Sequence, residues 1–182
     1  MRDWIARAKR GDRAAQTRIV EMFEKPIYGY LLRLIGDEHE AEDLAQETFL
    51  RALTHLKRYD DRYALSTWLY TIAQRLAISR IKRRDVERPA PPGPEPSTPQ
   101  DAVDRRETRA LVRRELWASV ETLSADQRAV ILLFYRQQCS IEQIARIMDA
   151  PEGTVKSHLH RAKKRLKTEL KARRSDWKDL MT

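Results

Sequence analysis

A basic stretch near the end of the chain carries hydrogen-bond donors at helical spacing. Residues 150–167, APEGTVKSHLHRAKKRLK, are rich in Lys and Arg and include two His. Val155, Leu159, Ala162 and Leu166 recur every three or four positions and define one inward face of a helix. The polar side chains then lie on the other faces, toward the N-terminal half with which a recognition helix contacts bases. They are Thr154, Lys156, Ser157, His158, His160, Arg161 and Lys164.

These side-chain types suit the hydrogen-bonding groups of DNA. Lys and Arg donate to guanine acceptors, while Ser and His reach several base edges or phosphates. Thr154, near the start of the helix, is placed to hold a phosphate. His158 and His160 are two residues apart and therefore point to different faces, which argues against a metal pair. The alternative is a solvated basic helix that binds nothing.

A second group of polar residues has the opposite charge. Residues 37–56, DEHEAEDLAQETFLRALTHL, contain six acids against one Arg, and their apolar positions form an inward helix face. Asp43, Gln46, Glu47 and Leu50 fall at i, i+3, i+4 and i+7, which places an exposed leucine among acids and an amide. This pattern predicts a docking face for a basic protein helix. A solvated helix with acids near its N-terminus is the alternative.

A third group combines aromatic rings with cations. Tyr59 and Tyr63 lie among basic residues that include Arg62, ahead of a helix that the sequence caps at Ser66. Bases stack on rings while cations neutralise phosphates, so the pattern indicates single-stranded nucleic acid. Trp68, in the helix, is either a further ring for this surface or a core residue. The helix continues the basic surface with Arg75, Arg80, Arg83 and Arg84.

Helices are needed to position all three groups. The chain has 182 residues, room for one ordinary domain or two small ones. It has only 5 glycines and little period-two alternation, so the sequence predicts an all-α fold. Six of the eight prolines lie between Pro89 and Pro99. We therefore expect two small helical domains, 1–86 and 101–182, joined by a Pro-rich flexible linker at 87–100.

The second domain ends in two helices joined by a tight turn. Ser140 caps the first of these helices, and Gln143 stands three residues on, at capping-box spacing. Ala145 is small enough for the helices to approach each other, and Asp149 occupies the turn, where aspartate tolerates left-handed backbone. The sequence therefore predicts a helix-turn-helix whose second helix is the basic stretch.

Composition limits the classes of function. With 36 Lys+Arg against 27 Asp+Glu the net charge is +9, which favours a polyanionic partner such as nucleic acid. The longest apolar run, residues 129–135, is too short to span a bilayer, so we expect a cytoplasmic protein without membrane insertion. Cys139 is the single cysteine and excludes an internal disulfide framework. Without paired acids, a glycine loop or a metal cluster, we expect no enzyme activity, cofactor or metal.

Three stretches together resemble bacterial sigma factors of the extracytoplasmic-function (ECF) group. They are AEDLAQETFLRA at 41–52, STWLYTIAQRLAISRIKRR at 66–84, and LSADQRAVILLFYRQQCSIEQIARIMDAPEGTVKSHLHRAKKRL at 123–166. A helix-turn-helix alone would be a weak signal, because response regulators also contain one. The order and spacing of all three stretches are specific, and the resemblance covers nearly the whole chain apart from the linker.

The resemblance implies a promoter-specificity subunit that binds core RNA polymerase and promoter DNA. By match to the family motif, the acidic face would dock on the basic clamp helices of the largest polymerase subunit. Residues 59–84 would recognise and help to melt the minus-ten element, with an unstacked base held in the loop before Ser66. The basic stretch would contact the minus-thirty-five element in the major groove. Members of the family are typically held inactive by an anti-sigma factor.

Three positions depart from the usual family pattern. His158 stands where many members have arginine, Asp149 where glycine is common, and Arg75 where asparagine is frequent. The histidine bears on base preference and could add mild pH sensitivity.

Two other classes of protein remain as alternatives. A two-domain transcriptional regulator would leave the acidic helix without a purpose, and an interaction module such as an anti-sigma factor or adaptor would not explain the basic helix.

Overall fold

Helices are the regular elements of the computed structural model, which describes residues 2–87 and 116–180. The first unit contains α1 (Arg2–Lys9), α2 (Arg13–Ile35), α3 (Glu38–Thr54), a 3₁₀ turn (Leu56–Arg58) and α4 (Leu65–Glu87). The second contains α5, described over 116–121, followed by α6 (Ala125–Ile131), a π-helical turn (Leu132–Arg136), α7 (Ile141–Met148) and α8 (Glu152–Leu180). The all-α prediction is confirmed for these ranges. Residues 88–115, which include most of the predicted linker, lie outside them.

Side-chain caps set the ends of the helices in the first unit. The backbone N–H of Ala15 donates to the Asp12 carboxylate at 3.1 Å, and Gly36 ends α2 with φ of 81°. Aspartate is a favoured N-cap residue, and glycine favours the left-handed backbone that ends a helix. The N–H of Glu40 donates to the Asp37 carboxylate at 2.9 Å and caps α3. These backbone donors hold the pKa of Asp12 and of Asp37 below its ordinary value.

Two local signals for a helix start are overruled by packing. Proline favours the first turn of a helix or a kink, yet α2 runs through Pro26, whose ring is exposed. The following residue, Ile27, is fully buried, so the helix continues because its apolar face is covered on both sides of the proline. Ser66 is not the cap of α4, which begins one residue earlier at the buried Leu65.

The core of the first unit is centred on Tyr30. Its ring is fully buried and meets the ring of Tyr70 edge-on, with 5.3 Å between centroids. Its hydroxyl donates a hydrogen bond to the side-chain oxygen of Gln74, on α4. Leu31 and Leu34 are buried beside it. A polar pair inside an apolar layer therefore joins α2 to α4.

The substitution Tyr30→Phe is expected to lower the free energy of unfolding by about 1–3 kcal/mol. The ring would still fill its space, but the oxygen of Gln74, whose side chain is 3 % exposed, would lose this donor. Urea unfolding of the full chain measures the change. Tyr28→Phe, at a half-buried position of the same helix, is the matched control and should change stability by less than about 0.5 kcal/mol. Equal losses in the two variants would contradict the assigned role of the hydroxyl.

The second unit packs α6, α7 and α8 around a small apolar core. Val130, Ile144 and Val155, one from each helix, are fully buried. Ser140 and Gln143 form both hydrogen bonds of a capping box, as predicted. Asp149 ends α7 with φ of 52° and ψ of 48°, the left-handed backbone that the turn requires. The predicted helix-turn-helix is therefore present as α7 and α8.

The two units contact each other directly. Helix α4 packs against α7, and the hydroxyl of Tyr70 donates to the side-chain oxygen of Gln137 at 2.6 Å. Arg128, on α6, donates to the carbonyl oxygen of Leu34 at 3.1 Å. This arrangement places the loop before α4 next to the first helix of the helix-turn-helix.

Candidate nucleic-acid interface

The acidic face lies along the outer side of α3, as the spacing predicts. The opposite side of the helix is buried. Leu50 is 63 % exposed, and Asp43 and Gln46 are exposed beside it. Glu47 is half-buried and pairs with Arg51, one turn further on, at 2.5 Å. An apolar side chain surrounded by carboxylates and an amide is therefore presented to solvent.

The predicted basic residues at the end of α4 separate into two groups. Arg84 lies 3.0 Å from Glu40 and 3.8 Å from Asp37, and Arg80 lies 3.7 Å from Glu40. Both arginines therefore hold α4 against the first turn of α3. Arg83 is exposed to solvent. Of these three cations, Arg83 is the one that the fold leaves most accessible to a phosphate.

The aromatic residues before α4 have different environments. Tyr59 is 5 % exposed, and its ring packs on Trp68 with 5.3 Å between centroids. Its carbonyl accepts a hydrogen bond from Lys9 Nζ at 2.7 Å, and its hydroxyl donates to the carbonyl oxygen of Tyr63. Tyr63 is 39 % exposed. Tyr59 and Trp68 thus support the loop from within, while Tyr63 presents its ring at the surface.

A cavity of about 440 Å³ opens between α1 and this loop. Its lining includes Ile5, Lys9, Phe23, Tyr59, Tyr63 and Ser66. Arg62 lies at the same place and is held by Asp60, with Nη2 2.6 Å from Oδ2, and this hydrogen bond lowers the pKa of the Asp60 carboxyl. Rings, a hydroxyl and cations around a space of this size suit an unstacked base with its phosphate.

Arg75 lies further along α4 and is exposed. Its guanidinium is 3.6 Å from the carboxylate of Asp149, in the turn between α7 and α8. The side chains are 68 % and 83 % exposed, so the pair contributes little to stability. The two residues that depart from the family pattern at these positions therefore face each other.

The outer face of α8 presents its donors to solvent. Val155, Leu159 and Ala162 are buried toward the rest of the unit, as predicted. Lys156 pairs with Glu152 at 3.2 Å, an exposed pair that water and salt weaken. The exposed members of the predicted set are Thr154, Lys156, His160, Arg161 and Lys164. Donors and cations are therefore free to meet a ligand on this side.

Two members of the predicted set are less accessible. Ser157 and His158 are half-buried. The Nδ1 atom of His158 is enclosed and has no hydrogen-bond partner among the described residues. Its Nε2 is then the ring nitrogen available to a base or phosphate. His160 is exposed, so the two histidines have different surroundings.

Two residues of the second unit reach this region without any signal in the sequence. The guanidinium of Arg146, on α7, lies 4.0 Å from the centroid of the Tyr63 ring. Gln137 accepts the hydrogen bond from Tyr70, 67 residues away in the chain. Local patterns reveal neither contact, because both depend on how the two units pack.

Cys139 is half-buried, and burial raises the pKa of its thiol. Within residues 2–87 and 116–180, no group of three or more His, Cys, Asp or Glu is placed to hold a metal ion. In the same part of the chain, no helix is long and apolar enough to cross a membrane.

Family models match both halves of the chain. The model of Sigma-70 region 2 matches residues 19–86, and that of Sigma-70, region 4 matches residues 113–166. The ECF RNA polymerase sigma factor SigW of Bacillus subtilis is 33 % identical over 181 residues, covering 92 % of this chain and 95 % of SigW. The RNA polymerase sigma-H factor of Pseudomonas aeruginosa is 33 % identical over 174 residues, covering 87 % and 88 %.

Two solved structures share the fold. CnrH, in complex with the cytosolic domain of CnrY, superposes with a TM-score of 0.70 at 20 % identity, over 94 % of this chain and 97 % of CnrH. The sigma factor RpoE of Bartonella quintana, in complex with the anti-sigma factor NepR, gives 0.68 at 24 % identity, over 85 % and 96 %. At these identities the similarity establishes the fold.

Proposed function

Since the chain belongs to the ECF group of the sigma-70 family, we propose that three separate surfaces each make one contact of a sigma factor. The three contacts are with core polymerase, with the minus-ten element and with the minus-thirty-five element. The chain is an alternative sigma factor, which binds core RNA polymerase and directs promoter recognition and transcription initiation. It is an initiation factor and not an enzyme. The observation that carries the proposed division is the separation of charge between an acidic α3 and a basic α8.

The acidic face of α3 is the proposed polymerase-binding surface. Leu50 would fill an apolar site on a basic helix pair, and Asp43, Gln46 and Glu47 would pair with cations and donors around it. Leu50 is exposed while the rest of the helix is held by a buried face, so binding would need no rearrangement of α3. An apolar centre with a charged rim is the usual anatomy of a protein interface.

The loop before α4 is the proposed minus-ten surface. Tyr63 would stack on a base of the melted non-template strand, and the cavity between α1 and the loop would hold an unstacked base. Arg62, Arg75 and Arg83 would contact the phosphates. Tyr59, Trp68, Arg80 and Arg84, which the sequence also assigns to this surface, would act by positioning the loop and α4.

Helix α8 is the proposed minus-thirty-five surface. Its N-terminal half would enter the major groove, with Lys156 and Arg161 donating to base edges. Thr154 and Lys164 would hold phosphates on either side. Ser157, His158 and His160 would complete the surface, His158 through its Nε2 atom.

Domain boundaries at residues 86 and 101 are part of the proposal. The region 2 match ends at residue 86, and the region 4 match begins at residue 113. The proline-rich residues 87–100 would then connect a domain that binds polymerase and a domain that binds duplex DNA.

We place the protein in the cytoplasm, where its polymerase and promoters are.

An anti-sigma factor is the proposed regulator. The similar RpoE chain was solved with the anti-sigma factor NepR. A groove of about 1150 Å³ lies between α2, α5 and α8, with apolar lining that includes Trp117, Val120 and Leu166. Lys25 and Lys163 are among the cations at its edge. A partner helix with an apolar stripe and acidic flanks would be complementary to this groove.

Transcription with purified core polymerase tests the proposed division. With genomic DNA of the source bacterium as template, the chain should start transcripts at a defined set of sites and open the strands there. Mapping the 5′ ends of the transcripts identifies these promoters. Binding to duplex DNA without initiation would favour a two-domain regulator and would overturn the proposal.

A further inference from the structure

The two units meet beside the proposed strand-binding loop, where a side chain of α7 lies over one face of the Tyr63 ring. We propose that the free chain is closed on itself and that α7 competes with single-stranded DNA for Tyr63. This inference rests on the proposed role of the loop in the minus-ten contact. Opening would then be a step that precedes strand capture.

Arg146 occupies the ring that a base would stack on. Its guanidinium is 4.0 Å from the Tyr63 centroid, within the range of a cation–π contact. Glu142, one turn earlier on α7, holds the same guanidinium at 2.9 Å. Arg62 and Thr67 of the first unit line the same narrow cleft as Arg146. A base cannot stack on this face of Tyr63 while the guanidinium of Arg146 lies over it.

Hydrogen bonds hold α7 and its neighbours in this position. Tyr70 donates to Gln137 at 2.6 Å, just before α7. Arg128 donates to the Leu34 carbonyl at 3.1 Å and to the Glu121 carbonyl at 2.6 Å, so it joins α6 to the end of α2. Arg75, of the minus-ten set, also lies 3.6 Å from Asp149 across the same interface, although both side chains remain exposed.

Besides the packing of α4 on α7, the units are joined by single polar contacts that involve residues outside the buried core, such as Gln137 and Arg146. Apolar side chains are buried in both units, among them Tyr30 in the first and Ile144 in the second, and they belong to one continuous cluster. A cation–π contact and single hydrogen bonds each contribute modestly in water. Removing two of them should raise the ratio of open to closed molecules about tenfold.

Fluorescence energy transfer in the full chain measures closure directly. Dyes are attached at Glu38→Cys on α3 and Thr168→Cys on α8, both exposed positions, in a Cys139→Ser background. This labelled chain without further changes, the parent, should give a single population with high energy-transfer efficiency. Arg146→Ala combined with Gln137→Ala should shift molecules to a low-efficiency population. Arg165→Ala, which removes an exposed arginine on the outside of α8, is the matched control and should leave the distribution unchanged.

A labelled single-stranded 20-nucleotide DNA of random sequence then tests competition. Binding by the free chain should tighten by up to about tenfold in the Arg146→Ala/Gln137→Ala variant, because the competent fraction rises. Gln137→Ala alone should give a smaller shift in the same direction. Circular dichroism checks that each variant is folded. If the double variant is not folded, Gln137→Ala alone serves as the test.

The outcomes separate this inference from the function on which it rests. A parent that is already open by energy transfer, or an opened variant with unchanged affinity for the strand, would overturn the closed-state proposal. Initiation by the parent with core polymerase is measured on the same preparation. If the parent initiates transcription but is open by energy transfer, only the closed-state proposal is overturned. If the parent does not initiate, the assigned surfaces are overturned, whichever population energy transfer shows.

Discussion

Replacing Asp43 and Glu47 together with lysine is expected to abolish binding of the chain to core RNA polymerase. In the proposed docking, each change places a cation opposite a basic partner surface, and like charges brought together at an interface cost several kcal/mol. We expect affinity to fall at least a hundredfold. The exposed pair between Glu47 and Arg51 would also be lost, but such a pair contributes only about 0.3–0.5 kcal/mol to stability. Competition for core polymerase against a labelled parent chain measures the loss.

A matched control separates the position of the charge from its amount. Glu21→Lys with Glu24→Lys changes the net charge equally at exposed positions of α2, and it also breaks an exposed pair, that of Glu21 with Arg18. This variant should bind polymerase with nearly the parent affinity. Leu50→Ala should weaken binding about tenfold with little change in stability, because its side chain is 63 % exposed. Polymerase binding that persists in the Asp43→Lys/Glu47→Lys variant would show that the docking face is elsewhere.

Lys156→Ala combined with Arg161→Ala is expected to weaken binding to the upstream promoter element by about 10²–10³-fold. Each side chain lies on the exposed face of α8, and a donor to a base edge is worth about 1–3 kcal/mol. The dependence of affinity on salt should also become shallower, because a helix with two fewer cations displaces fewer counterions from the DNA. Fluorescence anisotropy of a duplex from a mapped promoter, at several salt concentrations, measures both quantities.

Lysines on another side of the same helix provide the control. Lys163 lies over the rings of Phe134 and Tyr135, and Lys163 and Lys167 both line the groove beside α5. Alanine at these two positions removes the same charge and should reduce affinity far less. An equal loss in both variants would indicate a general electrostatic contribution, and unchanged promoter preference in the Lys156→Ala/Arg161→Ala variant would remove both residues from the set that reads bases.

Local chemistry predicted most helix ends. Ser140 and Asp149 have the roles predicted for them, and Asp12 and Gly36 cap α2 as their residue types favour. A cap or a left-handed turn depends on the residue itself and its nearest neighbours. Pro26 differs, since burial on both sides of the proline outweighs one missing backbone hydrogen bond. The π-helical turn at Leu132–Arg136 also has no local signal, and it brings Gln137 to its partner in the other unit.

In the candidate sites, too, local patterns predicted some features and tertiary packing decided others. Spacing alone predicted which side of α3 and of α8 is exposed, because helical periodicity fixes the faces. The environments of Tyr59 and Tyr63 could not be separated from sequence, since both are tyrosines flanked by basic residues. The contact of Arg146 with Tyr63 depends on the packing of one unit on the other, which no local pattern encodes.

An acidic α3 in one unit and a basic α8 in the other give the molecule an electric dipole moment in addition to its net charge of +9. Near a polyanion such a molecule rotates so that α8 faces the partner before contact is made. Near a basic protein surface it rotates so that α3 faces the partner. Rotation of this kind operates within the Debye length, about 10 Å at 0.1 M salt. Polymerase and DNA would therefore capture the molecule through different helices, and capture through one would leave the other helix accessible.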